Sequence, residues 1–122
     1  MFKMQIDASP YTMRWKQRER ERGAALKKRR DNAWSLVKTA AELLRNSFGV
    51  KRVVVFGSVV QTELFHPGSD VDLAVWGLES GAYFRAVGRL QALDPQISID
   101  LVMGEEAPES FQRVILKDGV DV

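Results

Sequence analysis

Asp70, Asp72, Asp100 and the pair Gly57-Ser58 are the residues of this 122-residue sequence whose types and spacing could carry chemistry. Asp70 and Asp72 stand two apart in the tract Gly68-Ser69-Asp70-Val71-Asp72-Leu73-Ala74-Val75. On an extended strand, side chains two apart leave the same face about 7 Å from one another. Two like charges held there repel, so either a cation lies between them or a carboxyl pKa rises. Asp100 is central in an apolar run, with Ile97, Ile99 and Leu101 on one face and Ser98, Asp100 and Val102 on the other. An acid in such a strand needs a partner, and no basic residue lies within the run. If the two strands are neighbours, three carboxylates converge in an oxygen-only donor set, suited to magnesium or manganese and unsuited to zinc.

Gly57-Ser58 supplies the complement, because it closes the apolar strand Arg52-Val53-Val54-Val55-Phe56. A strand that ends in glycine and opens a helix offers backbone N–H groups and the positive end of the helix dipole, a setting for phosphate. The Ser58 hydroxyl adds a donor. Taken singly these features are weak: Gly-Ser is most often a turn, and an Asp-x-Asp pair commonly decorates an exposed strand. Their joint order is specific, and it points to magnesium–nucleotide chemistry.

The elements that must position these residues are legible around them. Ser9-Pro10 forms a helix start, with Ser9 as N-cap and Pro10 at the first helical position. From Tyr11 to about Phe48 only Gly23 opposes a helix. Leu26, Ala33, Val37, Ala40, Leu44 and Phe48, flanked by Trp34 and Ala41, make an apolar stripe at helical spacing in its second half. The first half has little to bury and reads as a solvated arm, and Gly49 sits at the C-terminal cap. A buried strand over 52–56 is followed by a short helix from about Val59 to Phe65, a turn at His66-Pro67-Gly68-Ser69 and a strand from Asp70 to Trp76. Ser80 is expected to cap a helix reaching about Leu93, with Tyr83, Val87 and Leu90 inward. A third strand follows over Ile97 to Met103, then a last helix begun by Pro108 with Phe111, Val114 and Ile115 inward. The fold class is α/β (α+β): a small mixed sheet with flanking helices, preceded by a long helix. Residues 1–48 form the basic helical arm and residues 49–122 the domain.

Bulk properties narrow the function. Net charge is +2, yet Arg14 to Arg30 holds nine basic and two acidic residues. The positive charge is therefore confined to the arm, and the body is acidic. The arm's Arg-Glu alternation from Arg18 to Arg22 suits helix self-pairing, and only Trp15 is interleaved with it, which argues against direct nucleic-acid binding. No apolar run reaches the roughly 20 residues of a membrane span, and the N-terminus lacks the order of a signal peptide. With no cysteine there is neither a disulfide framework nor a thiolate metal site. A cytoplasmic protein with no membrane partner fits. His66, the only histidine, reads as a solvated turn residue with an accessory role as the alternative, and Trp34 and Trp76 as core or interface.

The motifs VVVFGS, GSDVDLAV and SIDLVM together resemble the nucleotidyltransferase superfamily of DNA polymerase beta. Within it, the chain is similar to the minimal nucleotidyltransferases (MNT), the antitoxin half of HEPN/MNT toxin–antitoxin pairs. The resemblance covers roughly Gly49 to Val122 and implies the polymerase-beta-like fold. It implies that Gly57 and Ser58 hold a triphosphate, that Asp70 and Asp72 bind two magnesium ions, and that Asp100 ligates the catalytic one. It further implies ATP as substrate, AMP as the transferred group and a tyrosine hydroxyl of a partner HEPN toxin as acceptor, with homo-oligomerisation through the N-terminal helix as a further option. Members usually continue after Gly-Ser with a small residue, an arginine and a glycine, where this chain has Val60-Gln61-Thr62. Arg52, Lys51 or the basic arm would have to supply the missing charge. Two alternatives stand beside transfer to a toxin: a catalytically weak antitoxin that acts by occlusion, and transfer to a small molecule.

Overall fold

The protein was analysed as a computed structural model that describes residues 10–122. Ser9, the expected cap of the first helix, lies outside the described residues. Helix α1 runs unbroken from Pro10 to Phe48, about 58 Å at 1.5 Å per residue. Gly23 does not interrupt it, because one glycine costs a helix only about 1 kcal/mol. Six residues of its second half, Ala33, Leu36, Val37, Ala40, Ala41 and Leu44, are buried, whereas Tyr11, Met13 and Trp15 are exposed. Gly49, at φ 64°, ends the helix where a residue bearing a Cβ would be strained.

Strand β1 (Arg52–Phe56) has Val53, Val54 and Val55 all buried, so both its faces are covered. The expected helix between about Val59 and Phe65 does not form. Two 3-10 turns, Gly57–Val59 and Thr62–Leu64, take its place. The physical reason is the short length, which offers little propagation after a costly nucleus. In addition the buried pair Val59 and Phe65 stand six apart, which a helix would turn away from each other. The Gly57-Ser58 corner therefore has no helix dipole behind it.

Strand β2 (Val71–Trp76) runs antiparallel to β1, and β3 (Ile99–Met103) runs parallel to β2 after the crossover helix α2 (Tyr83–Gln91). Helix α3 (Glu109–Asp118) leads to a two-residue strand β4 (Val120–Asp121), antiparallel to β1 and absent from the sequence reading. The sheet order is β3-β2-β1-β4. β2 starts one residue, and β3 two residues, later than expected. Ser80 does not cap α2: a 3-10 turn, Ser80–Ala82, precedes it, and no side chain caps the helix start.

One sheet face carries Val53, Val55, Leu73, Val75 and Ile99 against α1 and α2. Ala86 and Leu90 are the buried residues of α2, with Ala82 of the preceding turn buried in line with them, while Tyr83 and Val87 pack beside them. The other face is thinner: Val54, Ala74 and Ile115 are buried together, with Phe56, Trp76 and Val102 packed against them. Of the three residues expected inward on α3 only Ile115 is buried; Phe111 and Val114 are exposed. So small a strip needs only one large side chain to cover it. Among the described residues no helix is long and apolar enough to cross a membrane.

Candidate functional site

The chemistry-bearing residues meet at one end of the sheet, where β1 finishes and β2 and β3 begin. Strand register decides this. Phe56 of β1 lies opposite Asp72 of β2, and Asp72 lies opposite Asp100 of β3. Residues paired across neighbouring strands share a face, so the two carboxylates project side by side, on the face that carries α3. Asp70 lies just ahead of β2 and is half-buried, as is Asp72, while Asp100 is exposed.

The crowding changes the acid–base character of Asp72. Its pKa is pushed up to about 6, first by burial, then by the charges of Asp100 and Asp70, with a hydrogen bond shared with Asp100. Burial disfavours the charged form and like charges add to the penalty. The Gly57 corner closes on the same group. A Cβ built on Gly57 would lie 2.4 Å from Oδ2 of Asp72, and the residue has φ +78°. Glycine is therefore required twice, by conformation and by the approach of the Asp72 carboxylate. The close carboxylate is a reason the sequence did not suggest.

The turn ahead of Asp70 is ordered by its own side chains. The His66 amide donates to Oγ of Ser69 at 2.9 Å, the Ser69 amide donates to the His66 carbonyl at 2.9 Å, and Nδ1 of His66 accepts from the Gly68 amide at 3.1 Å. His66 is exposed and braces the turn, and Ser69 is the one buried polar residue described. At the Gly57-Ser58 corner the Val60 and Gln61 amides both donate to the Gly57 carbonyl, at 3.1 and 3.0 Å. Arg52 and Lys51 stand at the other end of β1: Arg52 pairs with Asp121 at 2.7 Å and lies over the Trp76 ring, and the Lys51 amide donates to the Trp76 carbonyl. Neither is near Gly57, because four residues of strand span about 13 Å.

Two residues of α1 do reach this end. Nη2 of Arg29 donates to the Ser69 carbonyl at 2.9 Å and the Gln96 carbonyl at 3.3 Å, and Nη2 of Arg30 donates to the Val59 carbonyl at 3.2 Å. The sequence reading counted both in the solvated arm. A signal was available: Arg29 and Arg30 precede Ala33 by four and three residues, and so lie on the face of the apolar stripe.

Among the described residues no three acidic or imidazole groups stand close enough to cage a metal ion. The donor set still fits magnesium, which takes only one or two carboxylates and completes its shell with water and substrate phosphates. Asp72 and Asp100, in register and all-oxygen, are such a pair. The residues present thus offer a half-buried carboxylate that would exchange its proton for a cation, beside a glycine-lined corner.

The sequence profile described as "Polymerase beta, Nucleotidyltransferase" matches residues 38–122. No curated protein matches the chain in sequence. Among solved structures, a chain of a toxin–antitoxin complex with AMP-PNP aligns with a TM-score of 0.59 at 24% identity, over 70% of this chain and 70% of that one. A chain of the complex between tri-AMPylated Shewanella oneidensis HEPN toxin and MNT antitoxin aligns with a TM-score of 0.56 at 19% identity, over 73% and 70%. A proposed minimal nucleotidyltransferase aligns with a TM-score of 0.50 at 25% identity, over 81% of this chain and 94% of that one.

Proposed function

This chain belongs to the polymerase beta nucleotidyltransferase family, and from that premise we propose that it is an antitoxin that transfers AMP from ATP to a tyrosine hydroxyl of a partner HEPN toxin. The observation that carries the reading is the contact of Gly57 with the Asp72 carboxylate, whose register partner is Asp100. A corner for phosphate and a pair of acids for a cation are thereby held against each other. The AMP-PNP and the AMPylated toxin in structurally similar complexes support the nucleotide and the acceptor.

Asp72 and Asp100, with Asp70 beside them, would hold the magnesium, whose chemistry would be to neutralise the phosphate charge and to lower the pKa of the attacking hydroxyl. The chain's own part is positioning. Gly57 and Ser58 receive the triphosphate, with the Ser58 hydroxyl as donor. Asp72 is held half-buried with its pKa raised to about 6, so it would give up its proton readily where a cation is bound. Asp100 is exposed, so an incoming hydroxyl reaches it, and it accepts the proton. The acceptor oxygen bonds to the α-phosphorus as the bond to the bridging oxygen breaks, and pyrophosphate leaves. The exposed arm of α1 offers the partner a basic surface. A cytoplasmic location is consistent with ATP as donor.

The test is the intact mass of the partner protein co-expressed with this chain, in which each AMP adds a fixed increment. Modification lost with Asp72→Asn while the complex persists is the expected result. An unmodified yet neutralised partner would favour a second reading, occlusion without transfer. Gln61, where an arginine is usual in the family it resembles, is the residue that favours it.

A further inference from the structure

The site's three loops are separate in sequence, and one short piece of α1 touches all of them. Arg29 donates to Ser69, next to Asp70, and to Gln96, at the approach to β3; Arg30 donates to Val59, in the turn that follows Gly57-Ser58. Both side chains are half-buried. Their Nε atoms are buried without a hydrogen-bond partner, and among the described residues neither guanidinium is paired with a carboxylate. Buried unpaired donors and uncompensated charge are costly. An arginine kept there for packing alone would be replaced without loss by an apolar chain of similar length. The forked guanidinium is suited to fixing carbonyls that must keep a set distance, because its donors lie in one rigid plane.

We propose that Arg29 and Arg30 are positioning residues, a clamp through which α1 sets the spacing between the phosphate corner and the two acidic strands. The proposal rests on the nucleotide-binding reading of this site. Neither arginine touches the carboxylates; Arg29 acts through the segments that lead to Asp70 and Asp100, and Arg30 through the turn that follows Gly57-Ser58. Because the clamp follows directly on the exposed part of the same helix, a partner seated on that arm would act on the site through these contacts.

The experiment measures binding of magnesium AMP-PNP to the full chain by calorimetry, with hydrogen exchange of the ligand-free protein. Arg29→Met and Arg30→Met are expected to weaken binding about tenfold each, the scale of losing a charge-assisted hydrogen bond. Exchange should quicken at 57–61 and 69–70 while the amides of β1 and β2 stay protected. Adding Gly23→Ala, whose new Cβ would meet nothing within 4 Å, is expected to restore thermal stability and leave affinity low. Affinity that returns with stability would overturn the clamp in favour of a merely structural role. Affinity equal to wild type in both methionine variants would also overturn it. Should the methionine variants not fold, Arg29→Lys decides. One ammonium on a flexible stem does not hold two carbonyls at a fixed spacing, so binding falls about threefold, and undiminished binding refutes the proposal. A wild-type chain that fails to bind AMP-PNP sinks the functional reading itself, and the clamp with it; loss confined to the variants bears on the clamp alone.

Discussion

The arm of α1 and the end of the sheet that bears the aspartates use charge in opposite ways. The arm is crowded with ionised groups in water: Arg22 pairs with Glu19, Gln17 donates to Glu21, and the described residues from Pro10 to Ala25 contain none that is buried. Exposed pairs of this kind contribute about 0–1 kcal/mol each, and the aligned helix is their main product. The sheet end holds three acids, two of them half-buried, and the pKa of Asp72 moves to about 6. Charge density is therefore a poor guide to chemistry in this molecule; desolvated charge is the better one.

The comparison breaks most plainly if acids and arm respond alike. Asp72→Asn is expected to weaken magnesium AMP-PNP binding about 100-fold, the scale of losing a desolvated ionic contact. Replacing Arg18, Arg20 and Arg22 together by alanine should leave that affinity within about twofold, because charges exposed to water are screened by salt. Calorimetry on the two variants checks this, and comparable losses would refute the division.

The glycines of the two regions give the next effect. Gly57→Ala is expected to destabilise the fold by about 1–3 kcal/mol, the cost of a strained backbone, and to push the Asp72 carboxylate aside. Gly23 has nothing within 4 Å of a built Cβ, so Gly23→Ala should stabilise by about 0.5–1 kcal/mol. Denaturant melts that move both variants in one direction would contradict this.

Acidity follows. The folded pKa of Asp72, about 6, lies above its ordinary value of 3.8. Its contribution to stability is therefore fully present below pH 3.8 and is lost as pH rises through about 6. In metal-free protein the melting temperature of wild type relative to Asp72→Asn should fall across that window. Magnesium should reverse the trend above pH 6, because a cation that binds the native state takes the proton's place. A difference between wild type and variant that stays flat from pH 4 to pH 7 would refute the shift.

Gln61→Arg has the smallest expected effect. It brings to the sheet end a positive charge of the kind the arm holds in excess, and a charge-assisted contact to phosphate is expected to tighten AMP-PNP binding about threefold to tenfold. Binding that weakens would show that the corner has no room for a cation there.

What local chemistry governs was legible in the residues themselves. The spacing of Ala33, Val37, Ala40 and Leu44 placed the buried stripe of α1, and it is buried. The β-branched run through Val53, Val54 and Val55 announced a strand covered on both faces. Alternation put Val71, Leu73 and Val75 on the face opposite Asp72, and those three are buried. Such properties depend on neighbours three or four residues away at most, so a sequence carries them. The helix expected after Gly57 failed because short segments are decided by what they pack on. Phe111 and Val114 were misread because how wide a strip α3 covers depends on the sheet beneath it. Two residues at the C-terminal end became a strand only because β1 had an open edge. The pairing of Asp72 with Asp100, the contact of Gly57 with that carboxylate, and the reach of Arg29 across 40 and 67 residues to Ser69 and Gln96 were decided by tertiary structure alone. Register and loop contacts are set by the simultaneous burial of many distant side chains, and no single stretch of the chain contains the terms of that competition.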